Sequence, residues 1–162
     1  MAGTRNAGGD VVNATIDELT EIRSVIASVA DPEIPVLTID DLGILRDITI
    51  EEGRVVATIT PTYSGCPAMD AISDAIVGSL PDRDVEVRTV HTPAWTTDWM
   101  SAAARRKLEE CGIAPPAPAH EARCPRCRAA GARTVSFFGS TACKALLVCS
   151  GCGEPFDLFK EH

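Results

Sequence analysis

The sequence of 162 residues has no long apolar run and few aromatic side chains, with four Phe, two Trp and one Tyr. No segment approaches the roughly 18 apolar residues of a membrane-spanning helix, and residues 1–15 carry no apolar block of the secretory type. We therefore expect a cytoplasmic protein that does not bind a membrane. The formal net charge of −8 repels nucleic acid from the chain as a whole, so no nucleic-acid partner is expected.

Residue sets that usually carry catalysis are also missing from the sequence. The three histidines are His91 at a predicted strand end, His120 in a Pro-rich segment and His162 at the last position, and none belongs to a recognisable Ser-His-Asp or Cys-His arrangement. The paired Glu-x-x-His helices of a di-iron bundle and a Gly-rich dinucleotide-binding loop are absent too. These absences argue against a hydrolase, a di-iron oxygenase and a nucleotide-dependent reductase.

What the sequence does contain is an uneven distribution of cysteine. Five of the seven cysteines and all four phenylalanines follow residue 120. Charge changes at nearly the same place, since residues 1–113 carry a net −10 and residues 114–162 a net +2. Segment 114–119, Ala-Pro-Pro-Ala-Pro-Ala, cannot continue a helix and favours an extended spacer. We predict a flexible arm at 1–14, a first domain at 15–113, a Pro-rich linker at 114–120 and a C-terminal domain at 121–162.

Hydrophobic spacing predicts alternating helices and strands in the first domain. The segment from Thr15 to Glu18 has the spacing of a capping box, and Pro32 ends the following helix near Ala30. The apolar stripe of that helix is predicted as Ile16, Leu19, Ile22, Ile26 and Val29. The predicted elements are a helix at 15–30, an antiparallel hairpin at 44–50 and 55–60, a helix from 66, a strand at 84–90 and a helix at 98–111. The order α-β-β-α-β-α predicts a small α+β domain and not a doubly wound parallel sheet.

Two C-x-x-C motifs in the C-terminal domain form the strongest pattern in the sequence. Their cysteines, separated by 21 residues between the motifs, are Cys124, Cys127, Cys149 and Cys152. Two such motifs complete a tetrahedral sulfur shell, so we predict one structural zinc per chain in an all-β zinc ribbon, with iron as the rival metal. The alternatives are a thioredoxin-like redox pair or plain buried cysteines. Four protein ligands leave no open coordination position, which predicts a structural and not a catalytic site.

Other residues of the C-terminal domain complete this prediction. The runs 133–139, 144–148 and 155–160 are the expected strands of the ribbon, with the four phenylalanines as its small core. A domain of about forty residues is too small to rely on a hydrophobic core alone, so the metal has a stabilising role. Cys143 is a spare sulfur that we expect in the core or in a loop, because the motifs already supply four ligands.

Cys66 stands apart from the other cysteines, at the start of the second predicted helix. Gly65 marks the turn before it, and Pro67 suits the first helical position. A helix N-terminus favours a thiolate, which is the form that binds metals and attacks electrophiles. The acidic segments 31–33 and 40–41 could converge on Cys66 and would raise its pKa unless a cation lies between. A half-buried structural cysteine is the alternative interpretation.

Several stretches resemble the small α/β family involved in iron–sulfur cluster assembly, which includes SufT and the eukaryotic cytosolic targeting factors. They are Asp31-Pro32-Glu33-Ile34-Pro35, Asp41-Leu42-Gly43, Thr60-Pro61-Thr62 and Gly65-Cys66-Pro67. Three later stretches, at 92–99, 112–116 and 138–146, resemble one subgroup, the PaaD (also PaaJ) proteins of phenylacetate degradation. The resemblance covers nearly all of the chain after the arm.

The resemblance implies an accessory role with the multicomponent phenylacetyl-CoA epoxidase, which uses a di-iron oxygenase and an iron–sulfur flavoprotein reductase. It implies that the protein is not itself an enzyme but helps a partner subunit acquire its metal centre, most simply the cluster of the reductase. In the family the cysteine matching Cys66 is the one to which cluster transfer is attributed, and Asp31 and Glu33 match the acidic signature loop. One thiol cannot hold a transient cluster fully, so such binding would need a homodimer, a client protein or small-molecule ligands.

The alternative role is a non-catalytic structural subunit that stays bound to the epoxidase. In that case the ribbon and a surface around Trp95 and Trp99 bind the partner, and Cys66 merely packs. Asp31 and Glu33 then dock the partner or cap their own loop. Packing against the third helix is the competing interpretation of the two tryptophans.

Overall fold

The computed structural model describes residues 9–161, with side chains from residue 16 onward. In chain order the helices and strands of this part are α1 Gly9–Ala27, β1 Leu45–Glu51, β2 Arg54–Ile59, α2 Ala68–Ser79, β3 Val85–Thr89, α3 Ala102–Glu110, β4 Ile113–Ala114, β5 Ala132–Ser136, β6 Lys144–Cys149 and β7 Pro155–Phe159. The predicted α+β class with a C-terminal all-β domain is confirmed. No helix in this described part is long and apolar enough to cross a bilayer.

The first sheet has the strand order β1-β2-β3. β1 and β2 form the predicted antiparallel hairpin, which closes where Glu51 pairs with Arg54. The turn between them has positive φ at Glu52 and Gly53, which glycine accommodates without a steric cost. After α2 the chain returns along β3, which pairs with β2 in parallel, Val55 opposite Val85. The sheet is therefore mixed, and the end of β2 leads directly to the segment that carries Cys66.

Helix α1 is already helical at Gly9, where the described residues start, so it extends at least six residues before the predicted capping box at Thr15. Residues 9–14, which were predicted as part of the arm, are therefore helical, and no proline interrupts them. Residues 1–8 of the predicted arm lie outside the described residues. Ile22 and Ile26 are buried as predicted, whereas Ile16 is 56% exposed. At about 100° per residue, Ile16 lies about 120° around the helix from Ile22 and so falls beside the buried stripe.

Helix α3 begins four residues after its predicted start at 98. The Oγ of Ser101 accepts a hydrogen bond from the N–H of Ala104 at 2.9 Å, which places the N-cap at Ser101. The preceding residues Thr97–Trp99 form a separate 3₁₀ turn. The N–H of Ser101 also donates to the carbonyl of Asp41 at 2.9 Å, so the cap ties α3 to the loop before β1.

The second sheet has the order β4-β7-β6-β5 and contains the three predicted ribbon strands. Strand β4 joins its edge by pairing in parallel with β7, Ala114 opposite Leu158. The predicted division between the domain and the linker at residue 114 therefore falls inside a strand of the C-terminal sheet. The chain enters that sheet before it reaches the prolines.

The prediction that all four phenylalanines form the ribbon core is wrong. Phe156 lies in the ribbon core, but Phe159 belongs to the core of the first domain, where Cys143 also lies. Phe137 and Phe138 are 67% and 65% exposed, because they follow β5 at the sheet end and pack edge-to-face on each other. Two C-terminal side chains thus complete the first core, and the two domains share one packed boundary.

Candidate functional site

The four cysteines of the two C-x-x-C motifs converge at the end of the ribbon. Their sulfur atoms all lie within 4.8 Å of one another, the only such group of three or more His, Cys, Asp or Glu in the described part of the chain. The distances between the motifs are 3.8 Å from Cys124 to Cys152 and 3.5 Å from Cys127 to Cys149. The spacing of the motifs therefore predicted this cluster, which we call the cysteine quartet.

Tight backbone turns bring the quartet together. The N–H of Arg128 donates to the carbonyl of Cys124 at 2.9 Å, and the N–H of Gly153 donates to the carbonyl of Cys149 at 3.0 Å. Both Arg128 and Gly153 have positive φ. The N–H groups of Cys152 and Gly151 point at the Cys149 sulfur, and these bonds, together with those from the Cys127 and Cys152 thiols, lower the pKa of the Cys149 thiol to about 6.

Four sulfur donors with N–H groups directed at one of them fit a tetrahedral ion bound by thiolates. Cys124 and Cys149 are buried, whereas Cys127 and Cys152 are exposed, so the ion would lie near the surface without a vacant coordination position. This arrangement can hold the ribbon together. It offers no place for a substrate to bind the ion.

Cys66 lies in the loop between β2 and α2. Its N–H donates to the carbonyl of Tyr63 at 3.2 Å, and Gly65 has a positive φ in the turn that precedes it. Helix α2 begins at Ala68, two residues after Cys66, with Pro67 at the N-cap position. The predicted location at a helix start is therefore confirmed.

The half-buried Cys66 side chain faces a small cavity of about 10 Å³, which we call the thiol cavity. Its lining residues are Asp31, Glu33, Ile34, Leu42, Ile44, Thr62, Cys66, Cys143 and Phe159. They come from the loop after α1, the loop before β1, the segment after β2 and the open end of the β6–β7 hairpin, where β6 begins and β7 ends. The cavity therefore lies where the two domains meet.

The first predicted acidic segment reaches the thiol cavity. Asp31 is buried, and its Oδ1 accepts the N–H groups of Glu33 at 2.9 Å and Ile34 at 2.7 Å. Burial raises the pKa of Asp31, although these two bonds and the positive charge of Lys144 oppose the rise. Asp31 thus shapes the loop and directs the Glu33 carboxylate toward the cavity.

The second acidic segment, at residues 40–41, does not line the thiol cavity. Asp41 instead accepts a hydrogen bond from Lys107 at 2.5 Å and from the Ser101 hydroxyl at 3.3 Å, both on or next to α3. Asp40 lies 3.9 Å from Arg23 of α1. The expected convergence on Cys66 is therefore wrong for segment 40–41, because cations on α1 and α3 bind its carboxylates.

The environment of Cys66 favours the neutral thiol in the metal-free protein. Burial raises its pKa, and the carboxylates of Glu33 and Asp31 raise it further. The N–H of Ala68 and the hydroxyl of Thr62 donate to the sulfur and lower the pKa, but by less. The helix start therefore stabilises the Cys66 thiolate as predicted, but burial and the two carboxylates have the larger effect and raise the pKa.

Cys143 is the site residue that sequence reasoning did not connect to Cys66. It is only 5% exposed and lies in the core, as predicted, but its side chain also lines the thiol cavity. Its Sγ lies 3.7 Å from Oε2 of Glu33 and 3.0 Å from the Thr141 hydroxyl. Burial raises its pKa to about 11. No local pattern links positions 66 and 143, so only the fold could bring them together.

A buried cation, Lys144, accompanies Cys143. Its Nζ lies 3.7 Å from Oδ2 of Asp157. Its charge lowers the pKa values of both Cys143 and Asp31, against the rise that burial causes. The positive charge of Lys144 therefore lies on the ribbon side of the acidic segment 31–33 and partly offsets the effect of burial on Asp31.

The two tryptophans serve mainly as packing residues. Trp95 is buried, donates its indole N–H to the carbonyl of Leu42 at 2.8 Å, and packs on Phe159 with ring centroids 6.2 Å apart. The guanidinium of Arg46 lies 3.6 Å above the ring of Trp99. Trp95 is thus not part of an open docking surface, and its main aromatic neighbour belongs to the ribbon and not to α3.

Comparison with known proteins matches both parts of the chain in order. Residues 19–90 match the family described as "Iron-sulfur cluster assembly protein", and residues 111–160 match the "PaaD zinc beta ribbon domain". Cys66 falls within the first match, and Cys143 and the cysteine quartet fall within the second.

Individual relatives are similar over the whole chain or over its first domain. A protein of Escherichia coli K12, provisionally named as a subunit of 1,2-phenylacetyl-CoA epoxidase, is 49% identical over 88% of this chain and 93% of its own length. The Fe-S protein maturation auxiliary factor YitW of Bacillus subtilis is 37% identical over 54% of this chain and 89% of its own length. A crystal structure of a DUF59 domain from Bacillus anthracis superposes with a TM-score of 0.51 at 26% identity, covering 60% of this chain and 96% of that domain.

The ordered pair of domain matches and the similarity along most of both sequences lead to one assignment. The chain belongs to the PaaD family, in which an iron–sulfur cluster assembly domain precedes a zinc ribbon.

Proposed function

We propose that the protein is a cytoplasmic accessory component of a phenylacetyl-CoA epoxidase system and assists the maturation of an iron–sulfur centre in a partner subunit. The carrying observation is Cys66, a half-buried thiol at a helix start that shares a small cavity with Glu33 and Asp31. Support also comes from the relatives, one named as an epoxidase subunit and others as Fe-S protein maturation factors. We take the iron–sulfur flavoprotein reductase as the client.

In this proposal iron for the client's iron–sulfur centre is the cargo, and Cys66 is its transient ligand. The carboxylates of Glu33 and Asp31 attract a cationic iron and hold the thiol neutral until iron arrives. On binding, the thiol loses its proton to solvent, an Fe–S bond forms, and the Ala68 N–H and Thr62 hydroxyl stabilise the sulfur charge. A client thiolate then displaces Cys66, which takes up a proton again. This is a ligand exchange without a change in oxidation state.

For the cysteine quartet we propose one zinc ion as a structural metal. The four sulfurs within 4.8 Å support a closed tetrahedral site, and a small β domain gains much of its folding free energy from such an ion. The ribbon in turn holds Cys143 and Phe159 against the first domain. The zinc therefore supports the thiol cavity from a distance and takes no part in transfer.

The test replaces Cys66 with Ser in cells growing on phenylacetate, with Cys111→Ser as the matched control because Cys111 is an exposed thiol outside both sites. Iron and sulfide are measured in the purified reductase, together with epoxidase turnover. We expect cluster content and turnover to fall together in Cys66→Ser and to stay normal in Cys111→Ser. Normal cluster loading with normal turnover in Cys66→Ser would overturn the maturation role.

A structural subunit remains the second candidate because of two exposed aromatic side chains. Phe137 and Phe138 project from the ribbon beside the ammonium group of Lys160, which lies 4.3 Å and 4.7 Å from their ring centroids. Such a pair is suited to lasting contact with a partner surface. A stoichiometric complex with epoxidase subunits on gel filtration that Phe137→Ser abolishes and Cys66→Ser does not would favour this second role.

A further inference from the structure

The ribbon contributes one thiol, Cys143, to the thiol cavity, and this thiol cannot bind the ion of the cysteine quartet. Cys143 immediately precedes β6, and Cys149 of the quartet ends the same strand. At about 3.4 Å per residue the two positions are about 20 Å apart, so Cys143 is out of reach of the quartet's ion. The N–H of Lys160 donates to the carbonyl of Cys143 at 3.0 Å and fixes the strand end against β7. The hydrogen bonds between β6 and β7 therefore hold Cys143 at the boundary between the domains.

Besides packing in the core, the Cys143 sulfur contacts polar groups. Its sulfur faces Oε2 of Glu33 at 3.7 Å across the boundary between the domains. On the first-domain side the Thr62 hydroxyl donates to the Cys66 sulfur, and the negative charge of Glu33 raises the pKa of Cys66. The carboxylate of Glu33 therefore lies near one thiol from each domain.

We propose that Cys66, Cys143 and Glu33 form a composite binding site for a single ferrous ion, with the ribbon supplying the second sulfur. Two thiolates and one carboxylate are a donor set that selects thiophilic transition metals over Mg²⁺ or Ca²⁺. The identity of the ion as iron rests on the proposed function, whereas the composite site itself rests on the cavity and its lining. The second thiol within one chain removes the need for a homodimer to complete the ligand set.

The small volume of the thiol cavity and the separation of its donor atoms suit an ion that is bound transiently. The cavity of about 10 Å³ is close to the volume of one solvent-sized sphere, so it accommodates an ion and not a preformed cluster. Within residues 16–161, only the quartet has three ligand atoms as close as 4.8 Å, so the partly exposed Cys66 and Glu33 must rotate toward Cys143 to bind. Asp157 pairs with Lys144 and offsets its positive charge. Three donors that must rearrange hold an ion more loosely than the quartet does.

The test uses Co²⁺ as a spectroscopic probe on the full-length protein with its quartet already filled with zinc. Thiolate-to-cobalt charge-transfer absorption is recorded during anaerobic titration. We expect the wild-type protein to bind one additional cobalt, which Fe²⁺ displaces. Cys143→Ser and Cys66→Ser should each lower the charge-transfer absorbance per cobalt by about half, since one of two thiolates is lost. Cys111→Ser should match the wild type.

Two outcomes would overturn the composite site: no cobalt bound by the zinc-filled wild type, or a Cys143→Ser spectrum equal to that of the wild type. Far-ultraviolet circular dichroism and zinc content establish that each variant is folded. If Cys143→Ser loses its fold, X-ray absorption spectroscopy of the native protein decides instead. The additional cobalt must then show two sulfur ligands, and a single sulfur ligand refutes the site.

The outcomes also separate this inference from the proposed function. If cobalt binds as expected and Cys66→Ser still loads the reductase normally in cells, the composite site stands and the maturation role fails. If Cys66→Ser abolishes loading but Cys143→Ser binds cobalt like the wild type, the maturation role stands and the composite site fails.

Discussion

Trp95 of the first domain packs on Phe159 of the ribbon, with ring centroids 6.2 Å apart and ring planes tilted by 53°. Phe159 is 1% exposed and belongs to the first domain's core, although it lies at the end of the last ribbon strand. This pair makes the ribbon part of the first domain's packing. It also closes one side of the thiol cavity, which Phe159 lines.

Replacing Phe159 with Ala should destabilise the whole protein, because the substitution leaves a cavity in a core that both domains share. We expect a loss of about 3–5 kcal/mol in the free energy of unfolding, measured by urea denaturation. Phe138→Ala is the matched control, since its ring is largely exposed, and should change stability by no more than about 0.5 kcal/mol. Equal effects of the two substitutions would contradict the shared core.

Removing the ion of the cysteine quartet should affect both domains. Cys149→Ser, or treatment with a chelator, is expected to abolish stoichiometric zinc and unfold the ribbon. Because Cys143 and Phe159 belong to the first core, the first domain should also lose stability and melt at a lower temperature. Metal analysis and thermal denaturation check the result, with Cys111→Ser keeping one zinc and the native melting temperature.

The contact of Asp41 with Lys107 should make stability depend on pH. Burial raises the pKa of Asp41, but bonds from Lys107, Thr38 and Ser101 outweigh it and lower the pKa below the ordinary 3.8. The stabilisation is therefore present above pH 3.8 and is lost as the pH falls through the lowered value. Asp41→Asn should cost about 1 kcal/mol at pH 7, and this cost should shrink in acid.

Urea denaturation at a series of pH values measures this difference. Asp40→Asn is the control, because Asp40 is exposed and lies 3.9 Å from its cation. It should change stability little at any pH. A cost of Asp41→Asn that stays constant from pH 7 to the acid limit would argue against the ion pair.

A side chain at Gly43 should be poorly tolerated. Gly43 has a φ of 69°, and a Cβ atom there would lie 2.6 Å from the carbonyl oxygen and 2.7 Å from the Cβ of Trp99. Gly43→Ala therefore combines left-handed backbone strain with a clash and should cost about 3 kcal/mol or more. Gly112→Ala, with a φ of 79° and open space, should cost only the strain, about 1–2 kcal/mol. Denaturation curves of equal midpoint would disprove the close approach.

The parts of the site that the sequence predicts are those whose structure is determined by residues close together in the chain. The C-x-x-C motifs each turn within a few residues, so the quartet needs only two short segments to meet. Cys66 at a helix start follows from Gly65 and Pro67 next to it in the chain. The strands of the hairpin follow from alternation within their own runs.

The parts that sequence does not predict depend on packing between distant segments. Cys143 meets Glu33 across 110 positions, and no local pattern encodes that contact. Residue type alone could not separate the buried Phe159 from the exposed Phe138, because both are large apolar side chains near strand ends. The position of segment 40–41 also depends on packing, since Arg23 and Lys107, which bind its carboxylates, lie on two different helices.

Strand β6 begins just after a cavity thiol and ends at a quartet thiol, so two chemically different sites depend on one short piece of backbone. If the quartet is empty, the strand loses its anchor and the second sulfur loses its fixed position. If the quartet holds zinc and the composite site holds iron, as we propose, zinc starvation of the cell should impair iron handling by this protein while iron itself remains plentiful. The ribbon would then link the supplies of the two metals.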